Sequence, residues 1–435
     1  MQIKKADNIR NVIRYLQKFK NALVVIYLDE NTIESANFST HIQDIALLHQ
    51  AGLKVIIIPG ARKRIDEVLS LNKINWSYEK NVRITTQEAM PLIKMAAFDV
   101  SNVIMTSLAA NNITAIIGNW VRSRAKGIIN GFDYGTAGDI DKLQIDSIKT
   151  VLDDGFIPIF PCIGWNSVGH PYNISSVSLA EQVAENLGAD KLFYVMETET
   201  INKANYDVPV GVPLAENGDI PAMNLEQVDA FIEKNEKKNP DVCTILEKAK
   251  NACNSGVTRV HILDGRLDGV LLCEIFSDLG SGTMIYKNNY GKIRPMEHTD
   301  IPSVLKVMKP FVEAGKLLPR TEQSLREKFG DYIVYELDGG VHACSALHFY
   351  SDGQAEIAAV AVEENFDHMG IGPKMIDYLL DLAKQKSAKS VFIMTTQAID
   401  WFEKQGFVQD TVESLPPERK ALWSPERNSK VFRKK

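Results

Sequence analysis

The clearest chemical signal in the sequence is a pair of glycines, Gly370 and Gly372, between a predicted strand and a predicted helix. The strand covers residues 355–362, and the helix covers residues 374–385 with apolar side chains at helical spacing. Glycine lets a ligand approach the backbone closely, and a helix N-terminus offers unpaired N–H groups to an anion. The pattern therefore indicates an anion-binding turn, although an ordinary loop can contain the same residues.

Glu356 is the carboxylate in the predicted strand 355–362, whose other residues are apolar. Alternation along a strand places it on the same face as Ala358, Val360 and Val362. Burying a carboxylate costs free energy unless the group is paired or functional, so Glu356 is a candidate functional residue. The alternative is that Glu356 lies at the solvated end of its strand.

Composition and charge exclude several classes of function. The 435 residues have a net charge of −6 and a pI near 5.8, so we expect no nucleic-acid binding. The five cysteines are scattered without a C-x-x-C pair, and we expect neither a disulfide framework nor a metal site. With no signal-peptide pattern and no continuous apolar run of about 20 residues, we expect a cytoplasmic protein without membrane contact.

Residues 21–286 alternate between predicted strands and predicted helices. The strands are predicted at 22–28, 54–60, 115–118, 157–160, 192–196 and 259–263, and the helices at 42–51, 62–71, 179–187 and 225–234. Such alternation predicts an α/β domain whose mostly parallel sheet is covered by helices on both faces. Residues 1–20 precede this domain as a predicted amphipathic helix.

The pattern changes after a polar stretch at residues 287–291, which is typical of a linker. In residues 292–435, predicted strands follow one another through glycine-containing turns such as Asp352-Gly353. Strands joined in this way form antiparallel hairpins. The second domain, residues 292–435, is therefore predicted to be α+β.

The order of elements in residues 355–407 resembles the acetyl-CoA-binding core of the GNAT N-acetyltransferases. In that superfamily the pyrophosphate loop reads Arg/Gln-x-x-Gly-x-Gly/Ala, and residues 367–372 match it with Asp367 at the first position. Since a carboxylate repels pyrophosphate, the resemblance implies binding through backbone amides and a lower coenzyme affinity. It also implies an oxyanion-binding N–H near Ala359–Val360. The implied coenzyme site consists of Ala359, Val360, Val362, Gly370, Ile371 and Gly372.

Residues 393–397, 401–407 and 427–431 resemble the N-acetylglutamate synthases, in which a kinase-fold domain precedes a GNAT domain. These enzymes acetylate the α-amine of L-glutamate with acetyl-CoA, the first step of arginine biosynthesis. The resemblance implies that Glu356 is the general base, directly or through water, and that Thr395 protonates the leaving thiolate. It implies that Arg320 and Arg427 bind the two substrate carboxylates. It also places His348, where some relatives have Lys, at the pocket wall.

Each of these assignments has a simpler alternative. Thr395 is also an ordinary strand residue, because β-branched side chains favour strands. Arginines are usually solvated, so Arg320 and Arg427 could lie at the surface. The whole chain could instead acetylate another small amino acid, or it could be a catalytically silent scaffold that senses arginine.

The first domain resembles the amino-acid kinases, specifically acetylglutamate kinase, and this implies a three-layer fold. The kinases have a lysine and glycines in the first strand, where this chain has Ile26, Leu28 and Asp29. Val177 replaces an aspartate of a second kinase motif, whereas Lys191 is retained. Without the first lysine the transferred phosphoryl group loses charge stabilisation, so we expect a regulatory domain without phosphoryl transfer.

Residues 261–265 and 271–285 resemble the arginine-sensing segment of arginine-inhibited acetylglutamate kinases. The resemblance implies that His261, Glu274 and Gly282 bind L-arginine as an effector; alternatively, these residues only pack the edge of the sheet. In those relatives an N-terminal helix interlocks subunits, a role that residues 8–20 would have here. The family implies a homo-oligomer, a hexamer or a tetramer.

Overall fold

A computed structural model describes residues 19–79, 81–198, 200–215, 217–276, 281–287, 291–337, 340–364, 366 and 370–434. The predicted N-terminal helix lies outside the described residues except for Phe19 and Lys20, which form a bend before the first strand. Most of the predicted linker and Asp367 also lie outside them. The chain divides into two compact units, Met1–Asn288 and Asn289–Lys435.

The first unit is organised around a mostly parallel sheet. Its strands are β1 (Leu23–Leu28), β2 (Lys54–Pro59), β3 (Ser77–Glu79), β4 (Val82–Ile84), β5 (Ala115–Ile117), β6 (Val121–Ala125), β7 (Ile128–Ile129), β8 (Phe132–Asp133), β9 (Gly138–Leu143), β10 (Ile157–Ile159), β11 (Ile163–Trp165), β12 (Pro171–Asn173), β13 (Lys191–Met196), β14 (Ala222–Asn224), β15 (Arg259–Asp264) and β16 (Thr283–Tyr286). The large sheet has the order β14-β16-β15-β13-β1-β2-β10-β5, and β15 with β16 is its antiparallel pair. All six residues of β1 are buried, as expected for a strand covered on both faces.

Helices cover this sheet in two groups. They are α1 (Glu30–Glu34), α2 (Phe38–Gln50), α3 (Arg62–Leu71), α4 (Met90–Ala109), α5 (Ile145–Asp153), α6 (Ser176–Leu187), α7 (Leu225–Asn235), α8 (Pro240–Asn254) and α9 (Val270–Phe276). Helix α2 packs against α4 and α9, whereas α8 packs against α6 and α7. The α/β class with a mostly parallel sheet is therefore confirmed.

Helix α4 is long and apolar enough to cross a membrane by length and composition alone. In the described part of the chain it packs against α2, α3 and β5. Eight of its residues, among them Ile93, Ala97, Ile104 and Leu108, are buried. These contacts are those of a helix in a protein core.

The second unit is a mixed sheet with helices on both sides. Its strands are β17 (Lys292–Pro295), β18 (Tyr332–Leu337), β19 (Gly340–Phe349), β20 (Gln354–Val362), β21 (Ser390–Thr395), β22 (Val408–Asp410) and β23 (Lys430–Lys434), and its helices are α10 (Ile301–Glu313), α11 (Glu322–Glu327), α12 (Ile371–Gln385), α13 (Ile399–Lys404) and α14 (Pro417–Lys420). The strand order is β17-β18-β19-β20-β21-β23-β22. Helix α12 packs on one face through Met375, Ile376 and Leu379, and α10 packs on the other through Val304 and Val307.

Strand β20 contains a bulge that changes which side chains share a face. Ala346 of β19 pairs with Ala358 and Cys344 pairs with Ala361, so one residue of β19 lies opposite two of β20. Beyond the bulge, Val360 and Val362 belong to the core beneath α12 and Ala361 to the core beneath α10. The prediction that Val360 and Val362 share a face with Glu356 is therefore wrong, because the extra residue reverses the alternation.

Candidate active site

The bulge places a strained residue in the middle of the second unit. Ala359 has a φ of +54°, a left-handed conformation that costs a residue with a Cβ atom roughly 1–2 kcal/mol. On the neighbouring strand the Ser345 hydroxyl donates to the carbonyl oxygen of Ala358 at 3.1 Å. Such outliers persist only where the surroundings hold them, and they concentrate at functional sites. The backbone at Ala359–Val360 therefore marks a site where the regular ladder is interrupted.

The same region is where two strands separate. Strand β20 runs parallel to β21, and their pairing extends from Gln354 with Ser390 to Ile357 with Ile393. Strand β20 continues to Val362 without a partner on that side among the described residues. Backbone groups between the two strands are therefore open to a ligand that enters the gap.

The predicted glycine pair lies at the start of α12, and each glycine has a different structural reason. Gly370 is the residue before the helix and has a φ of +64°, and a Cβ atom there would meet nothing within 4 Å. A Cβ atom on Gly372 would lie 3.0 Å from the ring of Trp401. Ile371 between them is fully buried. The first glycine thus permits the turn, and the second permits close packing of α13 against α12.

Glu356 is almost fully buried, with 4% of its surface exposed. Its Oε2 atom accepts hydrogen bonds from the Tyr350 hydroxyl at 2.6 Å and from Nε of Arg419 at 2.8 Å. Burial raises the pKa of Tyr350, and the neighbouring carboxylate raises it further, so the phenol stays protonated and donates. Glu356 is therefore buried and paired, which excludes the alternative that it lies at the solvated end of its strand.

A cavity of about 200 Å³ gathers most of the predicted substrate-binding residues. Its walls include Arg320, Glu356, Ala358, Ala359, Arg419 and Arg427. These residues come from four separate segments: the chain before α11, β20 with its bulge, α14 and the segment before β23. The fold thus brings one carboxylate and three guanidinium groups to the wall of one small cavity.

The two predicted arginines have no carboxylate partner among the described residues. Nε of Arg320 donates to the Tyr332 hydroxyl at 3.4 Å. A terminal nitrogen of Arg427 donates to the carbonyl oxygens of Lys316 at 3.0 Å and Gly315 at 3.4 Å. Both side chains therefore retain donors for an anionic ligand, and no carboxylate of the described residues balances their charge, whereas Glu356 balances the charge of Arg419.

Thr395 and His348 lie near the cavity but not in its wall. The Thr395 hydroxyl accepts hydrogen bonds from the backbone N–H groups of Gln397 at 3.3 Å and Ala398 at 3.0 Å. Its own proton remains available for donation, because a hydroxyl is a donor as well as an acceptor. His348 pairs with Glu356 across the strands, and its Nδ1 lies 2.6 Å from a carboxylate oxygen of Asp331.

In the first unit, the replaced kinase residues are used for structure. Ile26 and Leu28 are fully buried in the sheet. The Asp29 carboxylate accepts from the backbone N–H of Thr32 at 2.7 Å and so caps α1. Val177 lines a cavity of about 630 Å³ together with Arg62 and Arg83. This cavity is larger than the one in the second unit, but it does not contain the predicted acid–base residues.

The predicted effector residues His261 and Glu274 form a buried hydrogen-bonded pair. Nδ1 of His261 lies 2.5 Å from Oε1 of Glu274, while Oε2 accepts from the backbone N–H groups of Ser281 at 2.6 Å and Gly282 at 3.1 Å. Burial alone would raise the pKa of Glu274, but His261 and the two amides hold it below its ordinary value. A cation that binds Glu274 must therefore compete with His261.

Comparison with known proteins agrees with this division into two units. Residues 23–264 match the model of the amino acid kinase family, and residues 301–407 match that of the acetyltransferase (GNAT) family. The amino-acid acetyltransferase of Mannheimia succiniciproducens is 30% identical over 96% of this chain and 95% of its own length. The Escherichia coli K12 amino-acid acetyltransferase is 28% identical over 98% of this chain and 97% of its own length.

Solved structures give the same result. The N-acetylglutamate synthase of Neisseria gonorrhoeae, complexed with coenzyme A and L-arginine, matches with a TM-score of 0.81 and 25% identity over 99% of both chains. The same enzyme complexed with coenzyme A and N-acetyl-glutamate matches with a TM-score of 0.62 and 27% identity over 99% of this chain and 98% of that chain. The resemblance inferred from the sequence motifs is thus confirmed. This chain belongs to the amino-acid acetyltransferases that join an amino acid kinase family domain to a GNAT domain, and it is an enzyme that uses acetyl-CoA.

Proposed function

We propose that the chain transfers the acetyl group of acetyl-CoA to the α-amine of L-glutamate, giving N-acetylglutamate and coenzyme A. The observation that supports glutamate is the pair Arg320 and Arg427, which line one cavity and lack carboxylate partners among the described residues. A guanidinium group can bind a carboxylate through two parallel hydrogen bonds. Two such groups beside one buried carboxylate match a substrate with two carboxylates and one ammonium group.

Glu356 is the proposed general base. An ammonium group must lose a proton before its nitrogen can attack the thioester carbonyl carbon. The proton passes to Glu356, directly or through a water molecule. The carboxylate is buried in the wall of the cavity and already accepts two hydrogen bonds at Oε2, so its orientation is set before the substrate arrives.

The bulge and the gap beside it are the proposed site of the thioester. A backbone N–H near Ala359–Val360 donates to the carbonyl oxygen as negative charge develops on it, which is how oxyanion-binding groups lower a barrier. The carbon–sulfur bond then breaks, and Thr395 gives its proton to the leaving thiolate. Gly370, Ile371 and Gly372 at the start of α12 offer backbone N–H groups to the pyrophosphate, and Val360 and Val362 border the coenzyme.

Free-thiol release tests this proposal directly. Purified full-length protein is incubated with acetyl-CoA and one amino acid at a time, including glutamate, glutamine and aspartate. We expect thiol release that depends on glutamate and is at least tenfold slower with glutamine, which lacks the second carboxylate. A preference for an amino acid with one carboxylate would assign another substrate, and no glutamate-dependent thiol release would contradict the proposal.

The amino-acid-kinase domain, residues 21–286, is proposed to regulate the enzyme by binding L-arginine at His261, Glu274 and Gly282. A solved relative is described as complexed with L-arginine, which supports this assignment. Arginine should raise the thermal midpoint of the full-length protein, and Glu274→Gln should abolish that rise, whereas the exposed Glu233→Gln should not.

A homo-oligomeric assembly and a cytoplasmic location remain predictions.

A further inference from the structure

Tyr350 and Arg419 are the two residues that hold the carboxylate of Glu356, and neither has a role in the site described so far. Tyr350 follows β19 in the turn to β20, whereas Arg419 lies in α14, 63 residues after Glu356. Both donate to the same oxygen, Oε2. The neighbouring Ser351 hydroxyl donates to Oε1 of Glu418 at 2.5 Å. This hydrogen bond joins α14 to the turn between β19 and β20.

The two oxygens of Glu356 are therefore not equivalent. Oε2 is occupied by a phenol and a guanidinium group, while Oε1 makes no hydrogen bond with any described residue. Glu356 lines the cavity that Arg320 and Arg427 also line. A carboxylate held at one oxygen has its other oxygen fixed in direction, which is the geometry required of a proton acceptor.

Arg419 also affects the net charge of the cavity, because its guanidinium group is paired with Glu356. A substrate with two carboxylates enters a cavity whose wall contains the Glu356 carboxylate, and like charges repel. Arg320 and Arg427 are available for the two substrate carboxylates. The guanidinium of Arg419, whose pKa is raised by Glu356 despite the opposing effect of burial, balances the charge of Glu356. Three cations thus face three carboxylates when the substrate is bound.

We propose that Arg419 and Tyr350 are positioning residues for acetyl transfer, which hold Oε2 of Glu356 so that Oε1 receives the proton of the substrate amine. This inference rests on the proposed role of Glu356 as the general base. Removal of either donor leaves one hydrogen bond to hold the carboxylate, and removal of Arg419 also leaves the charge of Glu356 unbalanced. The effect is therefore expected mainly in kcat and only weakly in the KM for acetyl-CoA.

Three variants of the full-length enzyme test the positioning role. Arg419→Gln should lower kcat by roughly 10- to 100-fold, because a misaligned base loses most of its contribution. Arg419→Lys keeps the charge but not the planar donor, and it should recover part of that loss. Tyr350→Phe removes one hydrogen bond and should lower kcat by about 3- to 10-fold.

A control separates this effect from a loss of stability. Arg294 pairs with Asp300 and Glu336 in the same unit, and its side chain is 15% exposed, close to the 16% of Arg419. Arg294→Gln should lower the thermal midpoint but leave kcat within about twofold of the unmodified enzyme. If Arg419→Gln does not fold, Tyr350→Phe remains informative, because a phenylalanine fills the same space.

A double-mutant cycle decides between action through Glu356 and an independent effect. In a Glu356→Gln background, Arg419→Gln should change kcat by less than about twofold, because the group it positions is already absent. An equal loss in both backgrounds, or an Arg419→Gln single variant with near-normal kcat, overturns the positioning role. A Glu356→Gln variant with a near-normal rate would instead contradict the proposed base, so the two failures give different results.

Discussion

Arg427 donates a hydrogen bond to the carbonyl oxygen of Lys316 at 3.0 Å and so joins two segments that lie 111 residues apart in the sequence. Both residues line the cavity in the second unit. The contact fixes the guanidinium group against the wall while leaving further donors free, because arginine has five N–H groups. The segment before β23 thus forms part of the cavity wall and also supplies a proposed substrate-binding group.

Arg427→Ala should raise the KM for glutamate by about 10- to 100-fold, because a charge-assisted hydrogen bond contributes about 1.5–3 kcal/mol. The KM for acetyl-CoA should change much less, since Arg427 is assigned to the amino acid. Steady-state kinetics with each substrate varied in turn measures both constants. Arg326→Ala is the control, because Arg326 pairs with Glu322 on the exposed surface. An unchanged KM for glutamate would argue against carboxylate binding.

Glu356→Gln should lower kcat by roughly 10²- to 10⁴-fold, the usual contribution of a general base. The amide keeps the shape of the side chain and can still accept the hydrogen bonds of Tyr350 and Arg419. Single-turnover measurement of acetyl transfer separates the chemical step from product release. Glu336→Gln is a matched control, because Glu336 is also hydrogen-bonded to an arginine in this unit. A near-normal rate for Glu356→Gln at neutral pH would assign proton transfer to another group.

Ala359→Gly should leave stability unchanged or raise it, because glycine adopts a positive φ without steric cost. The strain relieved, roughly 1–2 kcal/mol, offsets the greater entropy of the unfolded chain. Ala361→Gly, two residues further along the same strand, should destabilise by about 0.5–1 kcal/mol because it relieves no strain. Denaturant unfolding monitored on the second unit compares the two. Equal destabilisation by both glycines would contradict the strained conformation at Ala359.

Asp44 in α2 makes the stability of the first unit depend on pH. Burial raises the pKa of Asp44 to about 6 from an ordinary value of 3.8, although the nearby His41 opposes the rise. The folded protein therefore binds a proton at Asp44 more tightly than the unfolded chain does. The stability gained from this protonation is complete below pH 3.8 and is lost as the pH rises through about 6. The asparagine of Asp44→Asn does not ionise. The thermal midpoint of this variant minus that of the unmodified protein should therefore increase as the pH rises from 4 to 7.

The control for this pH effect is Asp154→Asn, since Asp154 is exposed at the end of α5. Its substitution should shift the thermal midpoint equally at both pH values. The buried Oδ2 of Asp44 has no hydrogen-bond partner among the described residues, so no such contact is lost when nitrogen replaces it. A constant difference between Asp44→Asn and the unmodified protein at pH 4 and pH 7 would rule out the proposed titration.

The sequence was sufficient to predict the class of fold and the residues that carry local signals. Continuous apolar runs predicted β1 and β2 to within one residue at each end, because buried parallel strands have this pattern. The helix predicted at residues 62–71 coincides with α3. The glycines at 370 and 372 predicted a helix start in this region, but α12 begins at Ile371, three residues before the predicted start at residue 374. The small sheet β12-β11-β6-β9 was not predicted, since its strands are short and half-exposed.

The contacts between side chains in the site could not be predicted from the sequence, because they join segments that lie far apart along the chain. Glu356 was recognised from its apolar surroundings, but its partner Arg419 lies in a polar stretch with no periodic pattern. A hydrogen bond across 63 residues depends on how two segments fold together. The bulge in β20 was also missed, because Ala359 adopts its positive φ without the glycine that would have indicated it.

Two tryptophans of the second unit lie where the two substrates are proposed to bind. Trp401 lies against the position of Gly372 at the start of α12, and Trp423 lines the amino-acid cavity with its indole nitrogen bonded to the carbonyl oxygen of Ser429. The other three tryptophans, Trp76, Trp120 and Trp165, belong to the first unit. Intrinsic fluorescence of Trp401→Phe and Trp423→Phe variants can therefore report each binding event separately and give the order of substrate addition without an attached dye.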